Sequence, residues 1–262
     1  MDRNELVQQG SVALESGEAA KALDLFKRAQ SAGEFSAEIE ALVAEALEAQ
    51  GRLKDAVASL QKVIDSNPED VDSRFALGDL QFEMGRFVEA RTTYRSIIDK
   101  FPEESDALVS VGLVHFHQGE IDAAIKCYEK ALTLSPDSTF ALNSLGDAFF
   151  SRGDIVKALS SFQSVIDLDP EDPQAHYNLA EMYYDDEELD QAEKHCLLAL
   201  ECDPAFAYAY LTLGNIYLDQ DQPDKALHFF QEFLLHETSS AAEDIRSEVA
   251  AVVDGLKAEL NL

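Results

Sequence analysis

Histidines and a cysteine are the side chains in this sequence best suited to hold a metal ion. His115 and His117 are two residues apart, so in a helix they point in different directions. His176, His195 and Cys196 would meet if their two segments packed together, but no spacing among them matches a zinc ligand set. Core or surface packing explains these residues more simply, and we predict no metal site.

Other patterns that carry chemistry are missing from the sequence. The acidic run 185–188 lacks the glycine and the alternating oxygen ligands of a calcium loop, so it is interpreted as a solvated turn. The sequence contains no GxGxxG, GxxxxGK or GxSxG motif, which rules out the common nucleotide-binding and nucleophile signatures. We therefore expect a protein that is not an enzyme and needs no cofactor.

Composition limits the partners that this chain can bind. It has 51 Asp and Glu against 20 Lys and Arg, a formal net charge of −31, and 46% of its residues are hydrophobic. So acidic a chain is unsuited to nucleic acids and to anionic lipid surfaces, and it favours basic partners or simply high solubility. Three cysteines without a CxxC pattern, no visible signal peptide and no long apolar stretch predict a cytoplasmic protein without membrane insertion.

Four columns of residues recur with a period of 34 along the chain, which is typical of a repeat protein. The first column is glycine, the second alanine, the third a small residue seven places before the glycine slot, and the fourth proline. The members are Gly17, Gly51, Gly85, Gly119 and Gly153; Ala22, Ala56, Ala90, Ala124, Ala158, Ala192 and Ala226; Gly10, Ala44, Gly78, Gly112, Gly146, Ala180 and Gly214; and Pro68, Pro102, Pro136, Pro170 and Pro204.

Each column has a physical role in a pair of amphipathic helices. Glycine ends the first helix in the left-handed conformation, and the small residues let two helices approach closely. Proline ends the second helix because it cannot donate the next backbone hydrogen bond. A further column fills the space between helices: Phe26, Leu60, Tyr94, Tyr128, Phe162, Cys196 and Phe230.

This pattern resembles the tetratricopeptide repeat, a family of helix–turn–helix solenoids. The resemblance implies an all-α, right-handed superhelical solenoid of seven repeats. Positions within a repeat are numbered from the first residue of the repeat. The predicted repeats are 3–36, 37–70, 71–104, 105–138, 139–172, 173–206 and 207–240. It says little about function, because function depends on the variable surface residues.

The segment 241–262 is predicted to be a capping helix. Ser240 and Glu243 have the spacing of a capping box, and an apolar stripe with helical periodicity follows them. Such a helix would cover the exposed core of the last repeat. A dimerisation or partner-binding helix is the alternative.

The resemblance implies a binding site on the concave face that the first helices line. Positions 2, 5, 9, 12 and 13 lie opposite the core side of that helix. These 35 slots hold 12 acidic and eight aromatic residues but no Lys or Arg. The predicted peptide-binding groove consists of Phe75, Asp79, Phe82, Glu83, Phe116, Asp147, Phe150, Tyr177, Glu181, Tyr184 and Tyr208.

Such a groove suits a basic protein segment or peptide with apolar anchors. It lacks the Lys and Arg with which some cochaperones of this family hold a carboxylate terminus. The aromatic residues at position 12 have an alternative interpretation, in which they pack against the next repeat. We therefore expect an adaptor, with a monomer slightly favoured; the alternative is a structural protein that self-assembles through its last helix or its convex face.

Overall fold

Helices account for all the regular secondary structure in the computed structural model, which describes residues 2–261. Fifteen α-helices and one 3₁₀ turn are found in this range. Their bounds are α1 Arg3–Glu15, α2 Ala19–Ser31, α3 Ala37–Glu48, α4 Leu53–Ser66, α5 Val71–Glu83, α6 Phe87–Lys100, α7 Ser105–His117, α8 Ile121–Leu134, α9 Thr139–Arg152, α10 Ile155–Leu168, α11 Pro173–Asp185, α12 Leu189–Cys202, α13 Ala207–Asp219, α14 Pro223–His236 and α15 Glu243–Leu260.

The chain divides after Leu134 into two compact units, each a stack of helix pairs. In the N-terminal unit α1 packs on α2, α3 on α4, α5 on α6 and α7 on α8, and each second helix also packs on the first helix of the next pair. The C-terminal unit repeats this arrangement from α9 to α14, and α15 packs on α14. The expected fold class, an all-α solenoid of helical repeats, is confirmed.

Polar side chains cap the N-termini of several of the first helices. The Asp70 and Asp172 carboxylates accept hydrogen bonds from the amides of Ser73 and Ala175, at 3.0 and 2.7 Å. Each bond satisfies an amide that has no partner within its helix. These caps fix where the first helix of a repeat begins, and with it which side chains face outward.

The turn inside each helix pair requires a left-handed residue. Glycine occupies this position in five repeats, for example Gly85 with a φ of +69° and Gly153 with a φ of +85°. The sixth and seventh repeats place Glu187 and Asp221 there, with φ values of 60° and 58°. The turn geometry is therefore kept even where the side chain makes it unfavourable.

The small residue at position 8 matches the residue at position 24 of the same repeat. A Cβ added to Gly146 would lie 2.4 Å from the Phe162 ring, and the other four glycines in this column show the same 2.4 Å approach to a ring. Alanine occurs at position 8 in the two repeats whose position 24 is not aromatic, namely Ala44 with Leu60 and Ala180 with Cys196. The two columns together set how closely the helices of a pair approach.

The start of the last helix differs from the prediction. Residues Ser240–Ala242 form a 3₁₀ turn, and α15 begins at Glu243 with Ala242 as its N-cap. Alanine has no side chain that could accept a hydrogen bond from the helix, so the predicted capping box is wrong about where the α-helix begins. The side chain of Ser240 lies outside the described part of the structure. Val249, Val253 and Leu256 are buried in the same cluster as Phe233 of α14.

Candidate binding groove

The predicted groove residues all lie on first helices, and they fall into two groups, one in each unit. The N-terminal unit carries Phe75, Asp79, Phe82 and Glu83 on α5 and Phe116 on α7. The C-terminal unit carries Asp147 and Phe150 on α9, Tyr177, Glu181 and Tyr184 on α11, and Tyr208 on α13. Each group is described separately below.

In the N-terminal unit the aromatic residues are half-buried. The Phe82 ring meets the rings of Phe87 and His117 edge-on, with centroids 5.4 and 4.7 Å apart. Because His117 belongs to the next repeat, Phe82 packs between repeats and offers only part of its surface to a ligand. Phe75 lies 6.4 Å from the Tyr94 ring, and Phe116 is also half-buried.

Asp79 is held in place by the second helix of its own repeat. The Tyr94 hydroxyl donates a hydrogen bond of 2.6 Å to the Asp79 carboxylate, which is exposed to solvent. Burial, and then this bond, raise the pKa of the Tyr94 phenol well above its usual range. The Tyr94 hydroxyl therefore stays protonated and holds the exposed Asp79 carboxylate in place.

Carboxylates of α3 and α5 lie close enough to repel one another. Burial raises the pKa of Glu48, and the charges of Glu83, Glu45 and Asp79 raise it further. Two of these four residues, Asp79 and Glu83, belong to the predicted groove. The structure thus extends the acidic surface of the N-terminal unit from α5 back to α3.

A cavity of about 500 Å³ lies beside these carboxylates, between α1, α3 and α5. Its apolar lining includes Ala41, Leu42 and Ala76, and its acidic lining includes Glu45 and Glu48. Ala41, Glu45 and Glu48 occupy groove positions 5, 9 and 12 of the second repeat, but none of the five is among the predicted groove residues. One pattern in the sequence of the second repeat indicates the cavity. This repeat has alanine at positions 5 and 8 and glutamate at positions 2, 9 and 12.

In the C-terminal unit two groove carboxylates bond to the neighbouring first helix. The Asn178 amide donates to the Asp147 carboxylate at 3.2 Å, and the Thr212 hydroxyl donates to the Glu181 carboxylate at 2.7 Å. Loss of water around Asp147 raises its pKa to about 6. These bonds link successive repeats and hold the carboxylates in fixed positions.

Tyrosines cover the same side of the C-terminal unit. The Tyr184 hydroxyl donates to the Asp219 carboxylate at 2.7 Å, and burial followed by this bond raises the pKa of Tyr184 to about 12. The Tyr177 ring packs 5.2 Å from Phe206 and 6.5 Å from Tyr208, centroid to centroid. Tyr208 is the most accessible of these rings, with 38% of its surface exposed.

The histidine pair that the sequence singled out is a packed contact. His176 Nε2 donates a hydrogen bond to the Pro170 carbonyl oxygen at 3.1 Å, and His176 Nδ1 lies 3.2 Å from His195 Nδ1. The described residues contain no group of three or more His, Cys, Asp or Glu side chains that could hold a metal ion. Nor does any helix within residues 2–261 have the length and apolar character to cross a membrane.

Comparison with solved structures shows the same fold in proteins of low sequence identity. A tetratricopeptide repeat protein from Parabacteroides merdae matches with a TM-score of 0.76 and 18% identity, covering 96% of this chain and 98% of that one. A chain of the APC/C hetero-tetramer Cut9–Hcn1 matches with a TM-score of 0.69 and 19% identity; the match covers 92% of this chain but only 48% of that one. MamA matches at 0.51 and 22% identity over 62% of this chain and 95% of its own.

Family models give the assignment. A model described as tetratricopeptide repeat matches residues 7–71, 42–104 and 75–139, which together span more than half of the chain. Related models match 146–187, 173–206 and 195–228. No curated protein matches the sequence. The chain belongs to the tetratricopeptide repeat family.

Proposed function

We propose that this protein is an adaptor that binds a basic segment of another protein, with apolar anchors, along the outward side of its first helices. Tetratricopeptide repeats generally mediate protein–protein interactions, so a protein partner is the general expectation for the family. The Cut9–Hcn1 structure is itself that of a hetero-tetramer, which is in keeping with this role.

One observation carries the finer proposal. Positions 2, 5, 9, 12 and 13 of the seven repeats combine 12 carboxylates and eight aromatic rings with no Lys or Arg. Half-buried rings such as Tyr177 give a rigid apolar surface, and carboxylates such as Asp79 and Glu83 remain exposed beside such rings. An apolar anchor would pack on the rings, and Arg would gain both an ion pair and a cation–π contact.

The test is an affinity capture from cell lysate with washes at low and high salt. The variant is Phe116→Ala with Phe150→Ala, which removes two position-12 rings. The matched control is Phe35→Ala with Val156→Ala, because these side chains are 59% and 81% exposed at positions outside the groove. We expect a captured protein that the groove variant loses, that the control keeps and that high salt weakens.

Two further measurements make the result decisive. If the groove variant unfolds with a loss of several kcal/mol, about 3–5 for each truncated phenylalanine, those rings belong to the core and the groove is wrongly placed. Light scattering of the purified chain tests the self-assembly alternative. A defined oligomer that survives high salt would favour a structural protein over an adaptor.

A further inference from the structure

The cavity of the N-terminal unit owes its space to small side chains. Position 5 is Phe75 in the third repeat but Ala41 in the second, and position 24 is aromatic in five repeats but Leu60 in the second. Ala41 and Ala76 form a half-buried apolar floor, and the buried residues Ala44 and Leu60 lie at its base. Its volume of about 500 Å³ lies within the roughly 300–1,000 Å³ typical of binding sites.

The rim of the cavity is acidic. Glu38, Glu45, Glu48 and Asp72 line it together with no Lys, Arg or His. Within the described residues, none of these four side chains forms a hydrogen bond or an ion pair. Elsewhere in the same unit cations do pair with carboxylates, as Lys62 does with Glu40 at 2.8 Å and Lys100 with Glu69 at 3.0 Å.

The carboxylates near this rim also repel one another. The charges of Glu83, Glu45 and Asp79 add to burial in raising the pKa of Glu48. Because Glu48 and Glu45 line the cavity, a cation placed there would relieve this repulsion. The apolar floor and the unpaired acidic rim therefore favour the same kind of ligand, one that is apolar at its tip and positively charged at its flanks.

We propose that this cavity docks a short basic segment of a partner protein, with one apolar side chain on the floor and flanking Lys or Arg side chains against the rim. The proposal rests on the proposed function and places an anchor site in the first three repeats, where positions 5 and 12 of the second repeat are Ala41 and Glu48 instead of aromatic residues. A second copy of this chain is a poor occupant, because each copy carries a net charge of −31.

The test uses a displayed library of random 12-residue peptides, selected on the full chain. Selected peptides are synthesised with a fluorescent label, and their affinities are measured at low salt for three proteins. The first is the wild type and the second is Glu45→Gln with Glu48→Gln. The third is the control, Glu103→Gln with Glu129→Gln, which removes the same charge from exposed positions outside the cavity.

We expect selected peptides to combine an apolar residue with neighbouring Lys or Arg, and to bind the cavity variant about tenfold or more weakly than the control. Ala41→Phe, which places a ring in the cavity, should weaken binding to a similar extent. Peptides without basic residues, equal affinity for both glutamine variants, or no selected peptide would overturn the proposal. So would a dimer of the full chain that the cavity variant disrupts.

Failure of this proposal can be told apart from failure of the adaptor function. If the lysate partner depends on Phe116 and Phe150 but library peptides ignore Glu45 and Glu48, the adaptor remains and the cavity is not its anchor. If library peptides depend on Glu45 and Glu48 while no lysate protein depends on the aromatic positions, the cavity binds peptides and the aromatic groove is wrong.

Discussion

At the residue scale, the tightest packing in the repeats is between a glycine and a ring. Gly146 and Phe162 approach so closely that an added Cβ would lie 2.4 Å from the ring, below any ordinary contact distance. The ring is buried, so it cannot move aside without disturbing the core. Gly255 in α15 is the natural comparison, because nothing lies within 4 Å of its added Cβ.

We predict that Gly146→Ala lowers the free energy of unfolding by about 1–3 kcal/mol, because overpacking exceeds the gain in helix propensity. Gly255→Ala should raise it by about 0.5–1 kcal/mol, since only the propensity changes. Adding Phe162→Leu to Gly146→Ala recreates the Ala44–Leu60 pairing and should recover part of the loss. Urea unfolding measures these three variants and Phe162→Leu alone, and strictly additive effects of Gly146→Ala and Phe162→Leu would contradict the steric explanation.

His195 makes stability depend on pH. Burial, followed by the charges of His176 and Lys194, lowers its pKa from 6.5 to about 4. A histidine with a lower pKa in the folded state binds a proton less readily when folded, so its contribution is complete above about pH 6.5 and is lost as pH falls towards 4. Asp147 acts in the opposite direction, because its raised pKa lets the folded state take up a proton first.

We predict that His195→Phe makes the protein less sensitive to acid. Because the imidazole is only half-buried, solvent screening limits the effect to about 1 kcal/mol between pH 7 and pH 5. The measurement is the difference in unfolding free energy between wild type and variant at the two pH values. Asp147 is present in both proteins, so its contribution cancels. An unchanged difference would show that His195 titrates normally in the folded state.

At the scale of the helix pair, the periodic columns predicted the fold because each column reports a local requirement. A turn needs a left-handed residue, and a close helix crossing needs a small one, whatever the rest of the chain does. The start of α15 was wrongly predicted, since capping-box spacing does not reveal whether the segment after Ser240 forms a 3₁₀ turn first. The cavity was missed although Ala41 and Ala44 are visible in the sequence, because its walls also come from α1 and α5, and their approach shows only when the repeats are stacked.

The turn of the sixth repeat offers a test at this scale. Glu187 has a φ of 60°, where a residue with a Cβ loses about 1–2 kcal/mol relative to the right-handed conformation. We predict that Glu187→Gly stabilises the protein by about 0.5–1 kcal/mol, because part of the gain is lost to the flexibility of glycine in the unfolded chain. Glu188→Gly removes the same charge at a φ of −82° and should not stabilise it. Equal effects of both substitutions in urea unfolding would assign the gain to charge.

At the scale of the whole molecule, the dominant feature is charge. A net charge of −31 on 262 residues means that folding gathers carboxylates that repel one another. The repulsion is visible locally at Glu48, because burial and then the charges of Glu83, Glu45 and Asp79 raise its pKa. Salt should relieve this repulsion, as the screening length falls from about 30 Å at 0.01 M to about 8 Å at 0.15 M.

We predict that the melting temperature rises with sodium chloride over this range. At low salt, the double variant Glu45→Gln with Glu48→Gln should have a higher melting temperature than the control, Glu103→Gln with Glu129→Gln. Both variants remove two negative charges, so net charge alone would affect them equally. The difference between them should shrink as salt is added, because only short-range repulsion around the cavity distinguishes them. Equal melting temperatures at low salt would mean that the cavity carboxylates are too far apart to repel one another. A melting temperature that falls with salt would mean that ion pairs such as Lys62 with Glu40 outweigh the repulsion.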